Sequence, residues 1–230
     1  VEGIFTTDPR IEPKAKKIKK ITYDEMLEMA SLGAQVMQPR SIEVAKKFNV
    51  PLHVRSSFNK KPGTMIIKEV KKMEDVLVSG ITLNKNEAKI TLCGVQDKPG
   101  VAVKLFKELA TSGVSVDMIV QNVSHTRSTD ISFTVAKPDC AKAGRITKGV
   151  AKKIGAGDVL VDEDIARVSI VGVGMKSHHG VAAKMFGVLA DNKINIEMIS
   201  TSDISISCII KKRDAEVAVK QLHADFGLGR

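Results

Sequence analysis

From about Val76 to its end, the chain is written twice. Residues 88–95 (AKITLCGV) return as 166–173 (ARVSIVGV), and Pro99-Gly100-Val101-Ala102 returns as His179-Gly180-Val181-Ala182. Leu105, Phe106 and Leu109 follow the first glycine at the offsets at which Met185, Phe186 and Leu189 follow the second. Residues 114–119 (VSVDMI) match 194–199 (INIEMI). From the first helix through the second strand the offset is 80 residues throughout, a regularity that coincidence does not produce.

Each copy reads as strand, helix, strand, strand, helix. The strands are period-2 runs and the helices carry apolar residues at i, i+4 spacing. The third strands fall near 129–135 and 202–210, the closing helices near 139–154 and 213–226. Residues 158–162 give the first copy a fourth strand. The second copy reaches Arg230 directly after its helix, and a three-stranded sheet there leaves an edge unpaired. The run 76–83 (VLVSGITL) is spare and strand-like. We expect it to pair into the second copy, which makes that copy discontinuous with the first inserted inside it.

Residues 1–70 are organised differently. Asp8-Pro9 sets a turn. Thr22 with Glu25 forms a capping box for a helix running to about Leu32, with Gly33 beyond it. Ser41 is the expected cap of a second helix over 42–48, with Ile42, Ala45 and Phe48 on one face. A strand is expected over 52–56, a loop over 60–64 and a charged linker over 65–75. So few strands cannot cover both faces of these helices, so the region reads as the C-terminal end of a larger α/β domain. The opening Val1-Glu2-Gly3-Ile4-Phe5 has no initiator Met and reads like the interior of a longer protein.

Composition narrows the function classes. Aromatics are 3% of residues with no Trp, which counts against a base-stacking platform for nucleic acid. The net charge is +10, and six basic residues (Arg10, Lys14, Lys16, Lys17, Lys19, Lys20) crowd into 10–20 against Glu12 alone. Such a stretch is a solvated loop or a phosphate-facing one. Cys93, Cys140 and Cys208 lie far apart, which suits a reducing, cytoplasmic setting. No run of 18 apolar residues suggests a membrane span. There is no phosphate-binding GxxxxGK[ST] loop, no complete catalytic set and no metal spacing. His178-His179 are adjacent, so their rings diverge.

The repeat offers a binding site. Residues 96–100 (QDKPG) join a strand to a helix, and Gly100 lets backbone approach a ligand. The helix N-terminus behind it suits a carboxylate. Asp97 or backbone carbonyls suit an ammonium, and Gln121 and Asn122 suit a polar side chain. The plain alternative, held as equal, is that Gly100 is a helix-entry residue and Asp97 a turn former. The second copy presents 176–180 (KSHHG), Asn195 and Ser202-Asp203 in parallel.

On these residues the repeat resembles tandem ACT domains, and the whole chain is similar to the C-terminal part of the aspartate kinase (aspartokinase) family. The motifs that carry this are GIFTTDPR (3–10), EMLEMASLGAQVMQPRSIEVAKKFNVPLHVRSSF (25–58), PGTMI (62–66), GVQDKPGVA (94–102), DMIVQNVS (117–124), TDISF (129–133), VSIVGVGMKSHHGVAAKMF (168–186) and NIEMISTSDISIS (195–207).

The resemblance implies an α+β chain of tandem ferredoxin-like βαββαβ (ACT) domains preceded by the end of an α/β amino-acid kinase domain. The implied boundaries are 1–70 for the kinase end, 71–87 for a linker and a strand given to the second ACT domain, 88–163 for the first ACT domain and 164–230 for the second. It implies a nucleotide-binding segment at Gly3, Ile4, Phe5, Thr6, Asp8 and Arg10. It implies a threonine site at Asp97, Gly100, Val101, Ala102 and Gln121 with Asn195 and Ile196. It implies a lysine site at Ser115, Val116 and Asp117 with Val181, Ala182, Ser202 and Asp203. The family's N-terminal lysine- and glycine-rich catalytic motif is absent, so no catalytic residue, no metal and no cofactor is expected in this stretch. ATP with Mg would serve the parent kinase. Expected partners are threonine and lysine as effectors, the catalytic part of an aspartate kinase, and a second copy in a homodimer or heterotetramer through the ACT domains, with no nucleic acid and no membrane. A stand-alone amino-acid sensor and a basic nucleic-acid-binding protein are the alternatives. Gln35 stands where many relatives carry Lys near the nucleotide, and His179 where they usually carry Pro.

Overall fold

A computed structural model describes residues 1–70, 77–122 and 128–229. Val76 of the spare strand and 71–75 of the expected linker lie outside the described residues.

The N-terminal region runs β1 (Lys20–Thr22), α1 (Tyr23–Ser31), α2 (Pro39–Lys47), β2 (Leu52–Val54) and β3 (Thr64–Ile67). Its sheet has the order β1-β3-β2, with β1 parallel and β2 antiparallel to β3. The capping box at α1 forms in both directions between Thr22 and Glu25. Three expectations are corrected here. Residues 65–67 are not linker but most of the central strand. The apolar triplet Met65-Ile66-Ile67 is short, with Pro62-Gly63-Thr64 before it and Lys68-Glu69 after it, so the charge of a longer window hid it, yet Ile66 is fully buried. Helix α2 begins at Pro39 with Gln38 as its cap residue, and Ser41 instead donates its hydroxyl to the Gln38 carbonyl. Proline at the first helical position has no N–H to satisfy and a pre-set φ, so the helix starts there. Phe48 is the residue just past the helix and is exposed, so it leaves the face that Ile42 and Ala45 bury.

After β4 (Gly80–Asn84) comes the first repeat: β5 (Glu87–Gln96), α3 (Val101–Thr111), β6 (Val116–Gln121), β7 (Ser128–Ala136), α4 (Cys140–Ile154) and β8 (Val159–Asp162). Its sheet order is β6-β7-β5-β8, all antiparallel neighbours. One face buries Ile90, Leu92, Phe133 and Val135 against Leu105 and Leu109 of α3 and Ala143 and Val150 of α4.

The second repeat is β9 (Ile165–Val171), α5 (Val181–Asp191), β10 (Met198–Thr201), β11 (Ser205–Lys211) and α6 (Ala215–Asp225). Its order is β10-β11-β9-β4. Strand β4 pairs antiparallel with β9, Gly80 opposite Val171 through Asn84 opposite Arg167. It occupies the place that β8 holds in the first repeat. Both repeats are therefore four-stranded ferredoxin-like sheets, one closed by a strand that follows it and the other by a strand that precedes it. Lys85–Ile165 forms one compact unit, and Val1–Asn84 with Ala166–Arg230 forms the other. Strand β10 is shorter than expected over 194–199. The Ile194 amide is taken by the Leu189 carbonyl as the end of α5 closes, so the ladder itself begins at Met198 opposite Ile209.

Candidate functional site

In each repeat the loop before the first helix ends on a left-handed glycine. Gly100 has φ +90° and Gly180 φ +89°, and a Cβ on either would meet nothing within 4 Å. Neither α3 nor α5 has a side-chain cap. Both helices thus offer an uncapped positive end beside open space, which suits an anion such as a carboxylate.

Strand directions sort the expected residues. In the first repeat β5 and β6 are both antiparallel to β7, so their C-terminal ends share one end of the sheet. Asp97, Gly100, Val101 and Ala102 follow β5 and Gln121 ends β6, so the topology brings these five to that end. Asp97 and Gln121 are exposed there. Asn122 receives the Thr129 hydroxyl on its carbonyl. Ser115, Val116 and Asp117 begin or precede β6, at the opposite end, about 13–20 Å from Gln121 at the usual strand rise. The second repeat repeats this sorting. Val181, Ala182, Ser202 and Asp203 sit at the end where β9 and β10 finish, whereas Asn195 and Ile196 precede β10 at the other.

The second repeat's loops are held by α1. Glu25 is fully buried, and its capping oxygen Oε2 accepts from the Thr22 amide at 3.3 Å and hydroxyl at 3.0 Å. Its other oxygen accepts from the Ser79 hydroxyl at 2.6 Å and from the Val173 amide, in the loop after β9, at 3.2 Å. Glu28 accepts from the hydroxyls of Ser202 at 2.9 Å and Ser205 at 2.5 Å. Sequence reading found Glu25 only as a cap and missed Glu28, Ser79 and Ser205. These contacts join positions up to 177 apart, beyond any local pattern.

The segment 3–10 divides in two. Gly3, Ile4, Thr6 and Thr7 are buried and Phe5 half-buried, with their polar groups largely engaged inside the chain. The Ile4 amide donates to the Thr64 hydroxyl, the Thr6 amide to the Lys16 carbonyl, and the Thr6 carbonyl accepts from the Ile81 amide. The outward part is Asp8, Pro9 and Arg10. Arg10 grips Asp8 through Nε and Nη2 at 2.7 to 3.1 Å, and this hydrogen bonding holds the Asp8 carboxyl below its ordinary value. The basic stretch is partly used as structure: Lys17 lies opposite Phe5 in an isolated bridge and its ammonium donates to the Pro62 carbonyl. Gln35 is exposed.

His223 of α6, also missed, has its Nε2 2.9 Å from the Thr6 hydroxyl and is 2% exposed. Burial pushes its ring below the ordinary 6.5, against a smaller opposing pull from Glu12. A depressed histidine contributes stability that is complete above the unfolded value and lost as pH falls through the folded one. Lowering pH from about 7 to about 5 should therefore reduce the melting temperature more in the parent chain than in His223→Gln. An equal fall in both would refute the assignment.

The thiols belong to packing: Cys140 and Cys208 are buried, and burial pushes Cys208 up to about 12. Among the described residues no three His, Cys, Asp or Glu side chains are grouped to hold a metal. His178 instead sets Nδ1 2.8 Å from the Gly174 carbonyl. No helix among them is long and apolar enough to cross a membrane.

Comparison with known proteins gives consistent relatives. The ACT domain family matches residues 90–152 and 168–226, and the amino acid kinase family matches residues 1–56. An aspartate kinase of Pseudomonas putida is 52% identical over 229 residues, covering 99% of this chain and 56% of its own length. The chain thus spans about half the length of that relative. Among solved structures, Clostridium acetobutylicum aspartate kinase superposes with a TM-score of 0.89 at 27% identity, over 98% of this chain and 52% of that one. Escherichia coli aspartokinase III in complex with lysine and aspartate does so with a TM-score of 0.76 at 28% identity, over 98% of this chain and 50% of that one.

Proposed function

Since the chain belongs to the ACT domain family, carries that domain twice and has aspartate kinases as relatives along 99% of its length, we propose that it is the regulatory portion of an aspartate kinase. The parent enzyme transfers the terminal phosphoryl group of ATP, with Mg, to the side-chain carboxylate of L-aspartate in the cytoplasm. The repeats bind threonine, lysine or both, and so feed end-product levels back to the kinase. The observation that carries this reading is the pair of uncapped helix N-termini behind Gly100 and Gly180, each at the same sheet end as a polar strand terminus. The helix end takes the amino acid's carboxylate, and Asp97 in one repeat or Asp203 in the other takes its ammonium. Gln121 reads the side chain of a threonine. Lysine as a ligand draws support from the lysine complex of the E. coli relative.

Residues 3–10 then serve nucleotide binding through their exposed part, with Arg10 set by Asp8 as a cation for phosphate and the buried part as scaffold. The packing of 1–84 and 166–230 as one unit favours this reading over a free-standing sensor. A partner copy joins through the ACT domains, as exposed edges β6 and β10 allow. An effector inhibits only through different affinity for two arrangements of the repeats.

Calorimetric titration with threonine and with lysine tests the reading. Heat is expected from at least one, and none from either with the protein folded would sink it. Gln121→Ala should weaken threonine binding by about ten-fold, the worth of a lost hydrogen bond or two. An unchanged affinity would remove Gln121 from the site.

A further inference from the structure

Two carboxylates on one helix hold both loops at the ligand end of the second sheet. Glu25 and Glu28 stand three residues apart on α1, which places them on one face about a turn apart. Glu25 holds the Val173 amide at the start of the 172–180 loop, and Glu28 holds Ser202 and Ser205 at the β10–β11 turn. The same helix presses on the entry to β4. A Cβ on Gly80 would lie 2.8 Å from Met29 Cε of α1 and 3.0 Å from the Thr6 carbonyl oxygen. One residue on, the Ile81 amide donates to that carbonyl at 2.7 Å. From the turn at Ser202 to the segment 3–10, every step is a direct contact.

The geometry points to α1 as a relay: Glu28 and Glu25 are positioning residues that pass the state of the second repeat's loops to the segment 3–10. The inference rests on the effector reading for what occupies those loops. A hydroxyl of Ser202 that turns to a ligand leaves Glu28 short of a donor. Helix α1 cannot shift to compensate without disturbing the two donors that reach buried Glu25 from outside the helix, the Ser79 hydroxyl and the Val173 amide. Helix and loops therefore have a small number of joint arrangements rather than a continuum, which is what transmission between sites requires.

Hydrogen exchange, read amide by amide on the 230-residue chain, tests this in two arms. Without ligand, Ser205→Ala and Glu28→Gln should speed exchange of the Val173, Thr6 and Ile81 amides by about ten-fold while β5 and β7 of the first repeat keep their rates, a local opening rather than a global one. Unchanged rates at Thr6 and Ile81 overturn the relay. With saturating L-lysine or L-threonine, the parent chain should change its exchange across 3–10. Glu28→Ala should keep the heat of binding and lose that change, and a change that survives in Glu28→Ala overturns the relay. Absence of heat from both amino acids refutes the effector reading alone, and the ligand-free arm then decides the relay.

Discussion

Glu25→Ala is expected to destabilise the unit formed by Val1–Asn84 and Ala166–Arg230 by about 3–5 kcal/mol. The reciprocal capping box is lost, worth about 1 kcal/mol. The Ser79 hydroxyl and the Val173 amide then face a void with no acceptor, and each buried orphan costs about 1–3 kcal/mol. For a unit of this size the melting temperature should fall by roughly 8–15 °C. Glu25→Gln discriminates the causes. Its carbonyl oxygen can still serve Ser79 and Val173, while its amide nitrogen meets the Thr22 amide, a donor facing a donor. It should recover more than half of the loss. Urea unfolding of the three proteins measures this, and a Glu25→Ala chain within 1 kcal/mol of the parent, on the scale of an ordinary surface change, would refute the account.

That prediction marks how much of the molecule could be read in advance. The repeat, the order of its elements along the chain and the need for an extra strand were legible because period-2 alternation, helix faces and an unpaired edge are local or countable. The capping box was legible because its two residues are three apart. What Glu25 also does was not, because Ser79 and Val173 come from positions 54 and 148 residues away. Nothing in the spacing of Glu28, Ser205, Thr6 or His223 announces their contacts. The short strand β3 was missed since three apolar residues between Pro62-Gly63-Thr64 and Lys68-Glu69 carry too little pattern. Of the candidate sites, the strand-to-helix loops were legible from Gly100 and Gly180. The sorting of residues between the two ends of each sheet was not. It depends on strand direction, which places Gln121 with Asp97 and Ser115 at the far end.

The glycines show the same divide between pattern and reason. Gly94 and Gly172 occupy the same place in the repeat, yet Gly94 is left-handed at φ +63° and donates to Asp130, beside the irregularity in β5 between Leu92 and Val95. Gly172 is extended and donates to the Ile204 carbonyl. Its glycine is required by proximity: a Cβ would lie 2.5 Å from the Leu77 carbonyl oxygen, 2.8 Å from Val78 Cα and 3.0 Å from the Ser79 nitrogen. All three are backbone atoms, so no flexible side chain can yield.

Gly172→Ala should therefore cost about 2–4 kcal/mol, above ordinary overpacking, because 77–79 must back away from β9. That movement stretches the Ser79 amide bond to the Val171 carbonyl, now 2.7 Å, and pulls the Ser79 hydroxyl from Glu25. Gly187→Ala, in the same repeat, provides the opposite sign. Gly187 lies inside α5 with nothing within 4 Å of its added Cβ, so alanine should raise stability by about 0.5–1 kcal/mol through helix propensity and a less disordered unfolded chain. Thermal unfolding of the two variants beside the parent tests the pair. If Gly172→Ala is neutral, the close passage of 77–79 over β9 is not a constraint on the native chain, and the path by which β4 enters the second sheet loses its explanation.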